Sequence, residues 1–175
     1  MTAPSAAPPG HPLFRDLDLE LASTRRVLER VPGAHFDFRP HPRSMALGQL
    51  AAHLANMPTW GAMTLTLPEL DLAAPAAPGA DRSGSPEAVL AHFDRGAAEF
   101  RAALAGADAA ALAEPWTVRR GDAVVFRAPR AAMLRGMVVN HMVHHRGQLT
   151  VYLRLLDVPV PGLYGPSADE APPGR

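Results

Sequence analysis

Residues 140–156 read NHMVHHRGQLTVYLRLL, and this stretch decides both the fold class and the chemistry that we predict. With about 100° per residue around a helix and Leu134 taken as zero, His141 falls at about −20° and His145 at about +20°. His144 falls at about −80°, at the edge of the same face. The pattern therefore predicts a helix from residue 129 to about residue 156 whose apolar face carries His141 and His145.

Two imidazole rings on a buried face need polar partners, because unpaired polar groups are costly in an apolar layer. A divalent metal ion satisfies both rings, since the i, i+4 spacing lets two ring nitrogens converge on one ion. A third ligand must come from another helix. His53 is the best candidate because it lies among leucines on the inward face of a predicted second helix. The alternative, in which His53 is a hydrogen-bonded core histidine, stays open. The remaining histidines outside the 141–145 run are assigned to loops or to positions off the apolar face: His11, His35, His41 and His92.

Three further helices are predicted from apolar residues that recur every three or four positions. They cover residues 13–31, 45 to about 63, and 86 to about 105. Pro58 should kink or weaken the second of them, because proline has no backbone N–H. Residues 67–85 predict a long connection between helices 2 and 3, and residues 114–129 a short extended segment or hairpin. The predicted class is an all-α four-helix bundle.

One domain, residues 13–170, is predicted, flanked by a disordered N-terminal arm over residues 1–12 and a disordered tail over residues 171–175. The first residues, MTAPSAAPPGHP, lack the basic and apolar regions of a signal peptide. An uninterrupted apolar run of about 18 residues is also missing, so no membrane span is expected. A cytoplasmic location is the default expectation.

The composition excludes several kinds of binding and catalysis. Seventeen basic residues balance seventeen acidic ones, so no bulk charge favours nucleic acid or an anionic membrane. The chain has no cysteine and no lysine, which excludes disulfides, a cysteine nucleophile, a Schiff-base lysine and a Walker A lysine. It also has no G-x-S-x-G and no H-E-x-x-H motif. A bound metal is therefore the only credible catalyst, and any sulfur nucleophile must come from another molecule.

Four segments of the chain resemble the DinB/YfiT-like family of four-helix-bundle proteins. They are SMALGQLAAHLANM at 44–57, NHMVHHRGQLTVYLRLL at 140–156, VPGAHFDFRPHPRS at 31–44 and PVPGLYGPSADE at 159–170. The resemblance runs from about residue 13 to residue 170. It implies that three histidines bind a divalent transition metal, with zinc favoured and nickel as the alternative. The family's ligand positions correspond here to His53, His141 and His145.

The resemblance implies two kinds of activity. Some family members resemble thiol S-transferases that use a low-molecular-weight thiol such as bacillithiol or mycothiol, and others resemble metal-dependent hydrolases that activate water. The expected partners are thus a small-molecule thiol and an electrophile. A protein of a different class, a non-catalytic metal-binding stress protein, remains an alternative. The sequence does not decide between an enzyme and a non-catalytic protein.

Five side chains near the predicted ligands are further candidates. Gln148 and Asn56 each lie about one turn beyond a predicted ligand, where they could orient it or contact a substrate. Ordinary capping or interhelical hydrogen bonds are the alternative for both. Trp60 and Tyr152 are candidates for lining a pocket, with a role as core fillers as the alternative. His144, at the edge of the apolar face, is expected to point past the site.

A homodimer is predicted from the first helix, which apolar residues nearly encircle: Leu17, Leu19, Leu21, Val27, Leu28 and Val31. A helix with two apolar sides needs burial on both, and a lone four-helix bundle covers one. A twofold dimer through the outer face, with Leu19 and Val27 at its centre, would cover the other. The resemblance to the family also implies dimers. The alternative is that Leu19 and Val27 are scattered surface residues.

Overall fold

Helix dominates the computed structural model, which describes residues 14–74 and 84–170. Within these residues the α-helices are α1 Leu17–Leu28, α2 Leu47–Ala55, α3 Met57–Thr66, α4 Pro86–Ala105, α5 Ala109–Ala113, α6 Arg130–Met133 and α7 His141–Leu155. The strands are β1 Glu69–Asp71, β2 Pro115–Arg120 and β3 Ala123–Pro129. A short 3-10 helix covers Gly33–His35, and a π-helical segment covers Leu134–Asn140. The predicted arm, the predicted tail and residues 75–83 of the predicted connection lie outside the described residues.

The predicted second helix is two helices in the structure. α2 ends at Ala55, Asn56 forms a turn, and α3 begins at Met57. Pro58 lies in the first turn of α3, where its missing N–H costs no helical hydrogen bond. The prediction of one continuous helix over residues 45–63 is therefore wrong, because the helix is interrupted at Asn56. The interruption lies two residues before Pro58, the residue that was expected to kink or weaken the helix.

The start of α4 follows the sequence signals. The Ser85 hydroxyl accepts a hydrogen bond from the backbone N–H of Ala88 at 3.3 Å, and Pro86 occupies the first turn. Gly106 follows the last residue of the helix. The Ser85 hydroxyl thus satisfies a backbone N–H in the first turn, and the predicted bounds of this helix are confirmed.

The predicted fourth helix consists of α6, the π-helical segment and α7, which follow one another directly. A π-helix has more residues per turn than an α-helix, so an angle counted from Leu134 at 100° per residue is displaced beyond this segment. His141 is half-buried. The buried side chains of α7 are those of Met142, His145, Arg146, Leu149, Tyr152 and Leu153. His141 thus lies at the edge of the buried face of the helix. The sequence pattern predicts a position in the middle of that face.

α1 is covered on two sides within a single chain. It contacts both α4 and α7, and the side chain of Val27 is completely buried. Val27 therefore belongs to the core, and the prediction that it lies on an outer, dimer-forming face is wrong. Leu19 remains on the surface with 71% of its area exposed.

The structure contains a three-stranded sheet, so the prediction of an all-α four-helix bundle is right only in that the described residues are mostly helical. β2 and β3 form an antiparallel hairpin, which confirms the extended segment predicted before the last helix. Its turn includes Gly121, whose φ of +58° suits glycine. β1 pairs with β2 in parallel, in the order β1-β2-β3, and this pairing was not predicted. The sheet packs its Trp116 with Val118 and Met133, away from the main helical core.

A search of the described residues for membrane spans found no helix both long enough and apolar enough to cross a bilayer.

Candidate metal centre

The side chains of His53, His141 and His145 meet where the last turn of α2 lies against the first two turns of α7. Nε2 of His145 lies 2.7 Å from Nε2 of His141 and 3.1 Å from Nε2 of His53. The ring centroids of His53 and His141 are 5.3 Å apart. We call these residues the histidine cluster. One nitrogen from each ring faces the same small space, so the cluster could hold a metal ion.

The cluster is closed towards the core and open on its other side. Leu50 and Leu54 follow the inward face of α2 and are fully buried. His145 keeps 7% of its area exposed, whereas His53 and His141 are half-buried. Solvent therefore reaches the two less buried rings while the protein interior supports the third.

Gln148 fixes the orientation of His145. Nδ1 of His145 donates to the side-chain oxygen of Gln148 at 2.7 Å, one turn along α7. When Nδ1 carries the proton, the lone pair of the neutral ring is on Nε2, the atom that faces the other two histidines. This is the contact that a metal-ligating histidine makes with its non-ligating nitrogen.

The environment favours the neutral form of His53 and His145. Burial, reinforced by the neighbouring His145 and His141, lowers the pKa of His53 from 6.5 to about 4. Burial also lowers the pKa of His145, and the hydrogen bond with Gln148 opposes only part of that effect. Neutral imidazole is the form that binds a metal ion, so His53 and His145 have the required protonation state at neutral pH before any metal binds.

Trp60 and His144 each lie beside one member of the histidine cluster. The half-buried Trp60 ring is edge-on to His53, with centroids 6.1 Å apart. His144 is exposed, and its ring centroid lies 4.9 Å from that of His145. Its nitrogens are not among the converging ligand atoms in the described residues.

Tyr152 and Asn56 make other contacts. The Tyr152 hydroxyl donates to the carbonyl oxygen of Met45 at 3.1 Å, and its ring packs edge-on against Phe38. These contacts join α7 to the segment before α2, which supports the core-filling interpretation of Tyr152. The Asn56 side chain accepts a hydrogen bond from Nε2 of His92 at 3.0 Å.

His92 is the histidine that sequence reasoning misplaced. It was assigned off the apolar face, but only 5% of its area is exposed. A signal was present in the sequence: His92, Gly96 and Phe100 recur every four residues, so they share one face of a helix. That face of α4 lies against α3.

A sequence model of the DinB family matches residues 13–174. The chain belongs to the DinB family. This confirms the resemblance found in the four sequence segments. The matched range includes every described residue.

Two solved structures share the DinB fold with this chain. A DinB-like protein from Bacillus cereus ATCC 10987 superposes with a TM-score of 0.66 at 21% identity, covering 87% of this chain and 95% of that one. A DinB-like protein from Bacillus subtilis superposes with a TM-score of 0.62 at 16% identity, covering 85% and 96%. A curated relative, the uncharacterized protein YrdA of Bacillus subtilis strain 168, is 43% identical over 42 residues. That alignment covers 24% of this chain and about a quarter of the relative's length.

The donor set of this DinB-family protein fits a divalent transition metal. In a tetrahedral site with metal–nitrogen bonds of about 2.0–2.1 Å, neighbouring ligand nitrogens are about 3.3 Å apart. The two Nε2–Nε2 distances of 2.7 and 3.1 Å are slightly shorter, so small ring rotations suffice to open the space. Three imidazoles leave coordination positions for a further ligand, as in catalytic sites, whereas closed structural sites use four protein ligands.

Proposed function

We propose that His53, His141 and His145 bind a divalent transition metal, zinc in preference to nickel, and that the protein is an enzyme acting on a low-molecular-weight thiol. The thiol, of the bacillithiol or mycothiol type, would be transferred to an electrophile in stress response or detoxification. The observation that carries the proposal is the convergence of three imidazole nitrogens from two helices. Three nitrogen ligands with a remaining open position suit catalytic zinc.

The proposal includes an external thiol because the chain has no cysteine. The chain of 175 residues offers no sulfur nucleophile of its own, so a thiol chemistry requires an external one. A divalent ion in the cluster would lower the pKa of such a thiol and so supply a thiolate at neutral pH. The half-buried His53 and His141 leave that side accessible, and Trp60 offers an apolar surface beside it. The cytoplasm, where thiols are kept reduced, is the matching location.

The test is a screen of metal-reconstituted protein with small thiols and electrophiles, with the thioether product measured by mass spectrometry. We expect product formation that requires both the metal and the thiol, and that His145→Ala abolishes because the ligand joining the other two is lost. His144→Ala is the matched control and should keep the activity. Undiminished conjugation by the fully demetallated protein would contradict the proposal.

The same screen separates the alternatives. Metal-dependent hydrolysis of esters or amides without thiol conjugation would make the protein a hydrolase. Tight metal binding without turnover of any substrate would make it a metal-binding stress protein.

A homodimer through the exposed face of α1 is a further part of the proposal. With Val27 in the core, Leu19 is the residue of the predicted interface that remains exposed. We expect light scattering to give about twice the 18.6 kDa of one chain, and Leu19→Glu to return the mass to that of the monomer. A monomer mass that does not rise with concentration would rule the dimer out.

A further inference from the structure

α3 and α4 approach each other unusually closely. A Cβ atom on Gly96 would lie 2.6 Å from the hydroxyl oxygen and 3.0 Å from the backbone nitrogen of Thr59. A Cβ atom on Gly61 would lie 2.7 Å from the ring of Phe100. Both glycines therefore permit a contact that any larger side chain would push apart. We call this contact the α3–α4 seam.

His92 and Asn56 form the polar end of the seam. His92 lies one turn before Gly96 on α4 and is buried, with 5% of its area exposed. Its Nε2–H donates to the side-chain oxygen of Asn56 at 3.0 Å. A hydrogen bond fixes the distance and direction between two groups, whereas apolar contact is non-directional. The bond therefore specifies where Asn56 lies relative to α4.

Asn56 is the corner between α2 and α3. Its backbone N–H donates to the carbonyl oxygen of Ala52 at 3.1 Å, and its own carbonyl accepts from the N–H of Trp60 at 3.2 Å. His53 lies three residues before this corner, and Trp60, whose ring is edge-on to His53, lies one turn after it. A shift of the corner therefore moves both side chains.

We propose that His92 is a positioning residue for the metal centre. Acting through Asn56, it holds the α2–α3 corner against α4, and so sets where Nε2 of His53 lies relative to His141 and His145. This role rests on the proposed metal binding by the histidine cluster. His141 and His145 share α7 and keep their spacing by themselves, whereas His53 reaches them from a separate helix that ends at the corner. His53 is thus the ligand whose position depends on how α2 and α3 are held.

The test uses Co²⁺ as the probe in the full chain, with affinity measured by competition against a chromophoric chelator and geometry by the visible absorption bands. His92→Leu should weaken Co²⁺ binding at least about tenfold and alter the bands, as loss of an outer partner of a metal site does. His92→Gln, which keeps a donor for Asn56, should restore most of the affinity. Phe93→Leu is the matched control, since Phe93 is a buried core residue next to His92. It should lower the melting temperature and leave the cobalt affinity and bands unchanged.

The outcomes are distinct. Cobalt binding by His92→Leu with wild-type affinity and wild-type bands would overturn the positioning role while leaving the metal proposal intact. A wild-type chain that binds no cobalt would overturn both. If His92→Leu does not fold, Asn56→Ala removes the same hydrogen bond through its half-buried partner. The proposal then requires that Asn56→Ala weakens Co²⁺ binding by the same factor.

Discussion

Replacing Glu20 by alanine is expected to lower the free energy of unfolding by about 3–5 kcal/mol, because it leaves Arg146 as a buried charge without its partner. The Arg146 side chain is 1% exposed and that of Glu20 is 9% exposed, with 2.6 Å between Nη2 and the carboxylate. Arg146 also donates to the backbone carbonyl of Glu20 and to the hydroxyl of Tyr164. Urea unfolding of the variant and the wild type measures the difference.

Two comparisons make this prediction specific. Asp18 lies on α1, as Glu20 does, and forms an exposed ion pair with Arg101 of α4. Asp18→Ala should therefore cost at most about 1 kcal/mol. Replacing both buried partners, Glu20→Leu with Arg146→Leu, should recover most of the lost stability because no charge is left unpaired. If Glu20→Ala were no more destabilising than Asp18→Ala, the assignment of a buried, mutually dependent pair would be wrong.

The pair also explains why the segment PVPGLYGPSADE folds back on the helices. The Tyr164 hydroxyl donates to the Glu20 carboxylate at 2.9 Å and accepts from Arg146 at 2.5 Å. Arg26 donates to the carbonyl oxygen of Gly162, and Arg154 pairs with Asp169. The segment thus joins α1 to α7, and its Tyr164 hydroxyl adds a hydrogen bond to each member of the buried pair.

His145→Ala is expected to abolish the binding of one divalent ion per chain, whereas His144→Ala should retain it. His145 is the proposed ligand whose Nε2 lies within 3.1 Å of both other ligand atoms. The variant leaves two imidazoles, which are too few protein ligands to hold the ion tightly. The His144 ring lies outside the converging group. Calorimetric titration with Zn²⁺ compares the two variants, which differ by one position on the same helix. Loss of binding in the His144 variant with retention in the His145 variant would mean that the site has been placed on the wrong face of α7.

The features that could be predicted from sequence depend on local signals. Ser85 and Pro86 mark the start of α4 by hydrogen bonding and ring geometry within one turn. The i, i+4 spacing of His141 and His145 predicts their convergence because helix geometry alone brings them together. His53 was selected by its position on an apolar face, and the structure places it beside them.

The features that were missed depend on contacts distant in sequence. β1 is three residues long and pairs with β2 nearly fifty residues later, so no alternation within it could reveal a strand. Val27 looked like a surface residue because helix 1 was assumed to pack on one side, whereas both α4 and α7 contact it. His92 is buried because glycines let α3 and α4 approach closely, which only the packed pair of helices shows.

The most direct test of the metal-centre assignment is the metal content of the protein purified without chelator, measured by elemental analysis and divided by the amount of chain. The convergence of His53, His141 and His145 predicts about one divalent transition-metal ion per chain. A wild-type protein that carries no such metal, and takes up none after dialysis against micromolar Zn²⁺ or Ni²⁺, would contradict the assignment of the histidine cluster as a metal centre.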